Sequence, residues 1–392
     1  MKKGTAKIVF TCFPMRNRGY FEWLYTGLQI LEQRSVLALS HEGGSFDRFL
    51  RGHPRVFGKL LERFPDSMGM LAPVDYFALA GRYERGGKSV TFAYDVTDAP
   101  FNYALAWLEC ADLYFKMQCP PDWDEAGFPL STTVRVPYHP EVLRSQHKIR
   151  PTMSTGGITS TLNLKRNLGV LASDRQRIAS RKDIRIFASF GSDRGPGPWE
   201  ADRLPPAPHN FHNERSLVGL LGSGVGHPNE KRGELVRRLR SWNKADVDAR
   251  IWNSRDPSIQ GDAFEWNDYL VKVSKSVFNV NISGFRRSAP FRIIDTLRMG
   301  SMVATDNLAV RWYRPFDPDL EVHPFGELGY EAGDRVNWTV AEHELSRLYD
   351  LADSRRNCGP DVLACFDEKW HPERLASYFV EECEKVLEAG VG

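Results

Sequence analysis

The chain predicts an α/β fold in two doubly wound domains, and three observations predict it. Short apolar runs alternate with stretches of helical periodicity, the pattern of strand–helix–strand units around a parallel sheet. That alternation occurs twice, on either side of a polar, basic stretch at residues 144–182. With 392 residues, the chain exceeds what one hydrophobic core spans, and each half is long enough to bury its own.

Composition narrows the class of partner. A hydrophobic share of 42% with 26% charged residues is that of an ordinary water-soluble chain. The formal net charge of +2 gives no electrostatic case for nucleic acid or an anionic membrane. Local basic pairs, Lys231 with Arg232 and Arg237 with Arg238, read as solvated helix faces. Cys12, Cys110, Cys119, Cys358, Cys365 and Cys383 show no CxxC spacing, which speaks against a zinc site or a disulfide scaffold and for a reducing cytoplasm. The apolar run at residues 8–13, behind Lys2 and Lys3, is too short for a leader, and no stretch approaches the roughly 18 apolar residues of a membrane span. The expectation is a soluble, unprocessed, cytoplasmic protein with no stable membrane insertion.

The first domain is expected over residues 1–145. Residues 7–13 read as a strand, 20–31 as a helix, and 35–39 as a strand ending at His41 and Glu42 before Gly43 and Gly44. Residues 89–94 form the next strand, closed by Asp95 and Asp98; a helix (101–109) and a strand (111–116) follow. Ligands of doubly wound domains lie beyond the carboxyl ends of the strands. His41, Asp95 and Asp98 therefore stand where one group can deprotonate a hydroxyl, and each also reads as part of a polar turn. Residues 146–182 are taken as the interdomain connection, with one helix.

The second domain is expected over residues 183–370. Its first strand is 184–190, followed by a long loop rich in proline and glycine, and a strand at 216–221 that runs into Gly222, Gly224 and Gly226. A backbone without Cβ can approach a phosphate closely, which makes Gly222 and Gly224 candidates. Their spacing matches neither the Walker nor the dinucleotide fingerprint, and a flexible turn is the other reading. A helix (229–242), a strand (247–252) and a helix (264–276) lead to residues 278–306, around which the half is organised.

There a β-prone run feeds Gly284, Arg286 and Arg287. Ser288 suits an N-cap and Pro290 a first turn. At about 100° per residue, Ile293, Ile294 and Leu297 share one helix face, and Arg292, Asp295 and Thr296 the opposite one. Gly300 suits the stop, and residues 302–304 begin another buried strand. A helix N-terminus suits a phosphate; Arg286, Arg287 and Arg292 add charge-assisted donors for a diphosphate; Asp295 can accept both hydroxyls of a ribose. The same residues also read as an amphipathic helix with Arg292 and Asp295 as a surface ion pair. Trp312 and Tyr313 follow nearby, and residues 338–351 and 372–387 are amphipathic helices.

The order of a strand, a glycine loop, Ser288-x-x-x-Arg292, Asp295, Leu297-x-x-Gly300 and a small apolar strand resembles the donor-nucleotide motif of exostosin-like glycosyltransferases. It is similar to the two-domain type called GT-B. Lys231-Arg232-Gly233 resembles the phrase that opens a helix in the same family. Asp295 stands where that family has Glu, and Ile282-Ser283-Gly284 replaces its Pro-Arg-Gly lead-in; the match covers roughly residues 269–316.

The resemblance implies two Rossmann-like doubly wound domains facing a cleft. The first would bind the acceptor, the second a nucleoside-diphosphate sugar, and a final helix, within 371–392, would cross back to the first. It implies transfer of a sugar to an acceptor hydroxyl in surface glycan or glycoconjugate synthesis, inverting and metal-independent, with no cofactor beyond the donor. His41, Asp95 or Asp98 would serve as base. The Asp-x-Asp pairs Asp122/Asp124, Asp246/Asp248 and Asp317/Asp319 follow no clear apolar strand and read as solvated carboxylates. The alternatives are a retaining GT-B enzyme and a non-catalytic carbohydrate- or nucleotide-binding protein. A nicotinamide-dependent oxidoreductase lacks its GxGxxG here.

Overall fold

The computed structural model describes residues 5–12, 18–42, 78–97, 99–130, 135–159, 162–190, 228–252, 256–258, 260–261, 266–283, 287–326 and 337–390. The first unit contains β1 (Ala6–Cys12), α1 (Glu22–Gln33), β2 (Leu37–His41), β3 (Ala78–Arg85), β4 (Lys88–Asp95), α2 (Leu105–Cys110) and β5 (Leu113–Lys116). It continues through a small ribbon of β6 (Phe128–Pro129) and β7 (Arg135–Val136) to α3 (Pro140–Ser145), β8 (Ile149–Pro151) and α4 (Leu164–Gln176). Its sheet has the order β2-β1-β3-β4-β5-β8. Only β3 runs against its neighbours among these strands.

Among the strands that sequence periodicity does not show are β3 and β8. β3 carries Gly81, Arg82, Glu84 and Arg85, too polar to read as a buried run. Pairing on both edges holds it, and a Cβ on Gly81 would lie 2.3 Å from the Val9 carbonyl oxygen, so the strand fits only with glycine there. It turns into β4 through Gly86 and Gly87, both at positive φ (61° and 83°), the left-handed backbone a tight hairpin requires. β8 falls inside the stretch read as a connection. Three residues with a proline make no periodic signal, yet they pair in register with β5 from Tyr114 to Lys116.

The second unit contains β9 (Ile184–Phe190), α5 (Pro228–Ser241), β10 (Val247–Trp252), β11 (Gln260–Gly261), α6 (Trp266–Lys275), β12 (Ser276–Asn281), α7 (Arg292–Arg298), β13 (Met302–Thr305) and β14 (Val322–Pro324). Three helices follow: α8 (Trp338–Ser354), α9 (Gly359–Lys369) and α10 (Pro372–Glu388). All strand pairs of this sheet are parallel, in the order β11-β10-β9-β12-β13-β14. Counted from β9 this is 3-2-1-4-5-6, the doubly wound order whose ligand crevice opens where the winding reverses, beyond β9 and β12. Every residue of β12 and β13 is buried, as parallel strands covered on both faces require. The α/β fold class with two doubly wound sheets is what the structure shows.

α10 packs on the first sheet. Phe379 lies 4.9 Å from Phe92 edge to face and 4.6 Å from Phe115, and Arg150 pairs with Glu382 at 2.6 Å. At its crossing with α1 a Cβ on Gly27 would sit 2.0 Å from the Pro372 carbonyl oxygen, so a glycine sets the helix spacing. One buried cluster runs from Ile8, Phe92 and Phe115 to Ile186, Val280 and Ile294, giving the two units a shared core. No helix among the described residues is long and apolar enough to cross a membrane.

Candidate functional site

The reversal point of the second sheet holds a cavity of about 240 Å³. Phe190 at the end of β9, Asn281 and Ile282 at the end of β12, Arg232 on α5 and the turn 288–292 form one wall. Tyr20 before α1, Met117 after β5 and Ser154 after β8 form the other. The site is thus built from strand carboxyl ends of both units.

Polar side chains in the core hold the wall of the second unit in place. The Asn279 amide donates to Thr296 Oγ1 at 2.7 Å and the Asn281 amide to the same oxygen at 3.2 Å, tying β12 to α7. Gly300, at φ 66°, ends α7: its N–H donates to Leu297 O (3.0 Å) and that of Ser301 to Thr296 O (3.2 Å), the Schellman pattern. The start of α7 differs from the expectation. The helix begins at Arg292, Phe291 makes no side-chain cap, and Ser288 lies upstream in the turn. The reason is tertiary: Ala289, next to Ser288, makes its backbone hydrogen bonds to Gln118 and Ser154 of the first unit.

Two guanidinium groups line the cavity. Arg292 donates to Ser189 O at 3.1 Å and lies 5.6 Å from the Tyr269 ring. Arg232 lies 5.7 Å from the Phe190 ring. Burial first, then the charge of Arg292, pulls the Arg232 pKa down to about 10. The Asp306 carboxylate works against that fall. Lys231 is buried and Arg232 half-buried, which corrects the reading of this pair as a solvated face: Arg232 lines the cavity.

Arg287 is not among the cavity residues. Its backbone is left-handed (φ 58°), its side chain is buried, and Nη1 donates to Pro129 O at 2.9 Å across the interface. Asp295 also departs from its expected place. It is 3% exposed and 3.2 Å from Arg298 Nη2, whose Nε lies 3.7 Å from Asp174 on α4. Burial raises the Asp295 pKa, and Arg298 and Arg292 work against that rise. Residues 293–298 of α7 are all buried, so the face that amphipathic spacing assigns to solvent meets α4 instead.

The candidate bases separate. Asp95 has no exposed surface: Oδ2 accepts from Tyr114 Oη (2.6 Å) and Lys116 Nζ (2.9 Å), and Oδ1 from the Thr97 N–H (2.6 Å). It is a core ion pair, reachable by no acceptor hydroxyl in this arrangement. His41 ends β2, exposed, with Nε2 3.0 Å from Tyr25 Oη and its ring stacked on Phe10, and it does not line the cavity. Asp98, Gly222, Gly224 and Arg286 lie outside the described residues. Of the Asp-x-Asp pairs, Asp124 binds Arg135, Asp246 binds Arg185, and Asp248 binds Arg250 and Lys272. Among the described residues no three His, Cys, Asp or Glu side chains are grouped to hold a metal.

Asp306 is a carboxylate that sequence reasoning passed over. It follows β13, is fully enclosed, and accepts from the Ser283 N–H (2.8 Å), Ser283 Oγ (2.9 Å) and Thr305 Oγ1 (3.2 Å). Burial raises its pKa to about 6. Gln118 and Ser154 were passed over as well. Position after a strand end is the signal for Gln118, but that for Ser154 depends on β8, which the sequence does not reveal.

Neither a family model nor a curated relative matches the chain. Among solved structures it is similar to a GtfA/B complex, at 7% identity and a TM-score of 0.34, over 70% of this chain and 53% of that one. It is also similar to Anabaena HepE solved with UDP and glucose, at 9% identity and a TM-score of 0.33, over 95% of this chain and 98% of that one. The chain spans about half the length of the GtfA/B chain it matches. At these scores the likeness carries no argument; the strand order and the cavity do.

Proposed function

We propose that the cavity holds the diphosphate of a nucleoside-diphosphate sugar and that the protein transfers the sugar to an acceptor hydroxyl. The observation that carries this reading is the convergence of Arg232 and Arg292 on a cavity at the reversal point of the second sheet. A diphosphate departing from the anomeric carbon gains negative charge at its bridging oxygen. Two guanidinium groups already held at the site stabilise that charge without reorganising. Their charge takes the place a divalent metal has in other sugar transferases, so the proposed reaction is metal-independent.

The first unit, which closes the cavity through Tyr20, Met117 and Ser154, presents the acceptor in this reading. Attack by its hydroxyl from the side opposite the diphosphate inverts the anomeric centre. Because Asp95 is committed to Lys116, it does not serve as the base in this reading.

Thermal unfolding with UDP, GDP, ADP and CDP tests the reading. A ligand present at about 100 times its Kd stabilises the fold by about 2.7 kcal/mol. At least one of the four is expected to do so, and Arg232→Ala and Arg292→Ala each to weaken the effect. No shift with any nucleotide, or variants that respond like the wild type, would show that this cavity is not a donor site.

A further inference from the structure

We infer that Gln118 is a positioning residue for the donor site: from the first unit, its carboxamide holds the turn 288–292 of the second in the shape that lines the cavity. The inference rests on the donor-site reading above. Gln118 lies two residues past β5 and is fully buried. Its Oε1 accepts from the Ala289 N–H at 2.8 Å, and its Nε2 donates to Ala289 O at 3.1 Å and to Ser154 Oγ at 3.2 Å. Ser154 Oγ donates to the same carbonyl at 2.8 Å. The side chain thus meets both backbone groups of one residue, as a neighbouring strand would.

What Ala289 carries explains the consequence. Ser288, Ala289, Pro290, Phe291 and Arg292 are consecutive and all line the cavity. Phe291 is gripped by the first unit too, since a Cβ on Gly156 would lie 2.9 Å from Phe291 Cδ2. The direction in which Arg292 leaves the turn is therefore set by contacts across the interface. A ligand held by Arg292 and the contact held by Gln118 stabilise each other, because any coupling between two sites is reciprocal.

The amide is specific for this task. Ala289 presents one donor and one acceptor, and a carboxamide answers both. A carboxylate at residue 118 still accepts from the Ala289 N–H but sets a negative oxygen against the Ala289 carbonyl. Once protonated it donates there and restores the pattern.

The test measures affinity for UDP, GDP, ADP and CDP by calorimetry for the wild type, Gln118→Ala, Gln118→Glu and Ser154→Ala. Gln118→Ala is expected to weaken binding about 10-fold or more, because a buried N–H loses its partner, and Ser154→Ala by less, since one donor to Ala289 O is kept. For Gln118→Glu, the ratio of its Kd to that of the wild type is expected to shrink as pH falls from about 8 to about 5, as the carboxyl takes up its proton. A merely structural substitution would not show that recovery. Should Gln118→Ala fail to fold, Gln118→Glu, which keeps the shape, carries the test through its pH profile. If the wild type binds none of the four, the donor-site reading falls and this inference with it. If the wild type binds, while Gln118→Ala matches it and the ratio for Gln118→Glu is flat with pH, this inference alone is overturned.

Discussion

Replacing Asp95 by alanine separates a structural from a catalytic role for this carboxylate. In the native chain Asp95 and Lys116 are both fully buried and 2.9 Å apart, and Lys116 Nζ also bonds Thr97 Oγ1 and lies 5.1 Å from the Tyr103 ring. Asp95→Ala leaves the ammonium in the core without that carboxylate, and takes an acceptor from Tyr114 Oη and the Thr97 N–H. Removing one partner of a buried ion pair costs about 3–5 kcal/mol, a large part of the roughly 5–15 kcal/mol by which a domain is stable. With a denaturant slope of about 3 kcal/mol/M in urea, the unfolding midpoint should fall by more than about 1 M. Asp95→Asn, which keeps the shape and an acceptor, should lose less. Asp95→Leu combined with Lys116→Met should recover most of the loss, because no lone charge is left in the core. The measurement is urea unfolding followed by circular dichroism. A midpoint for Asp95→Ala close to that of the wild type, with turnover abolished, would refute the assignment and return Asp95 to the list of bases.

Three further outcomes follow from burial and close contact. Asp306, with its pKa raised to about 6 against about 3.9 in an unfolded chain, binds its proton more tightly when folded. Its stabilising contribution is therefore full below about pH 4 and is lost as pH rises through about 6, by up to about 3 kcal/mol. Asp306→Asn should flatten urea midpoints measured across that window, and an unchanged slope would contradict the burial argument. At the crossing of α1 and α10, Gly27→Ala should cost about 1–3 kcal/mol or more, since the new Cβ meets the Pro372 carbonyl at 2.0 Å. On α4, Gly169→Ala meets nothing within 4 Å and should stabilise by about 0.5–1 kcal/mol; equal midpoints for the two variants would refute the contact.

Much of the second sheet is legible from residues alone. β9, β12 and β13 are largely apolar runs, and hydrophobic burial leaves such runs few other places to go, while β10 alternates apolar Val247, Ala249 and Ile251 with Asp248 and Arg250. Gly300 is legible too, because a left-handed stop admits few other residues. β3 and β8 are not, since what holds them is pairing with strands distant in the chain. The site divides in the same way. Arg292 can be picked out from its place at a helix start, whereas Arg232 reads as one more surface charge, and only the packing of α5 shows that it lines the cavity.

Local pattern determined the α/β class, the two-part organisation and the importance of residues 278–306, because strand and helix periodicities and the left-handed glycine are properties of neighbouring residues. Only the tertiary structure decided the fate of the charges. Asp95 and Asp295 carry the same carboxylate that a solvent-facing aspartate does, yet one is sealed against Lys116 and the other against Arg298. Whether a charged side chain meets solvent, substrate or an ion-pair partner depends on which distant element packs over it, and spacing along the chain does not encode that.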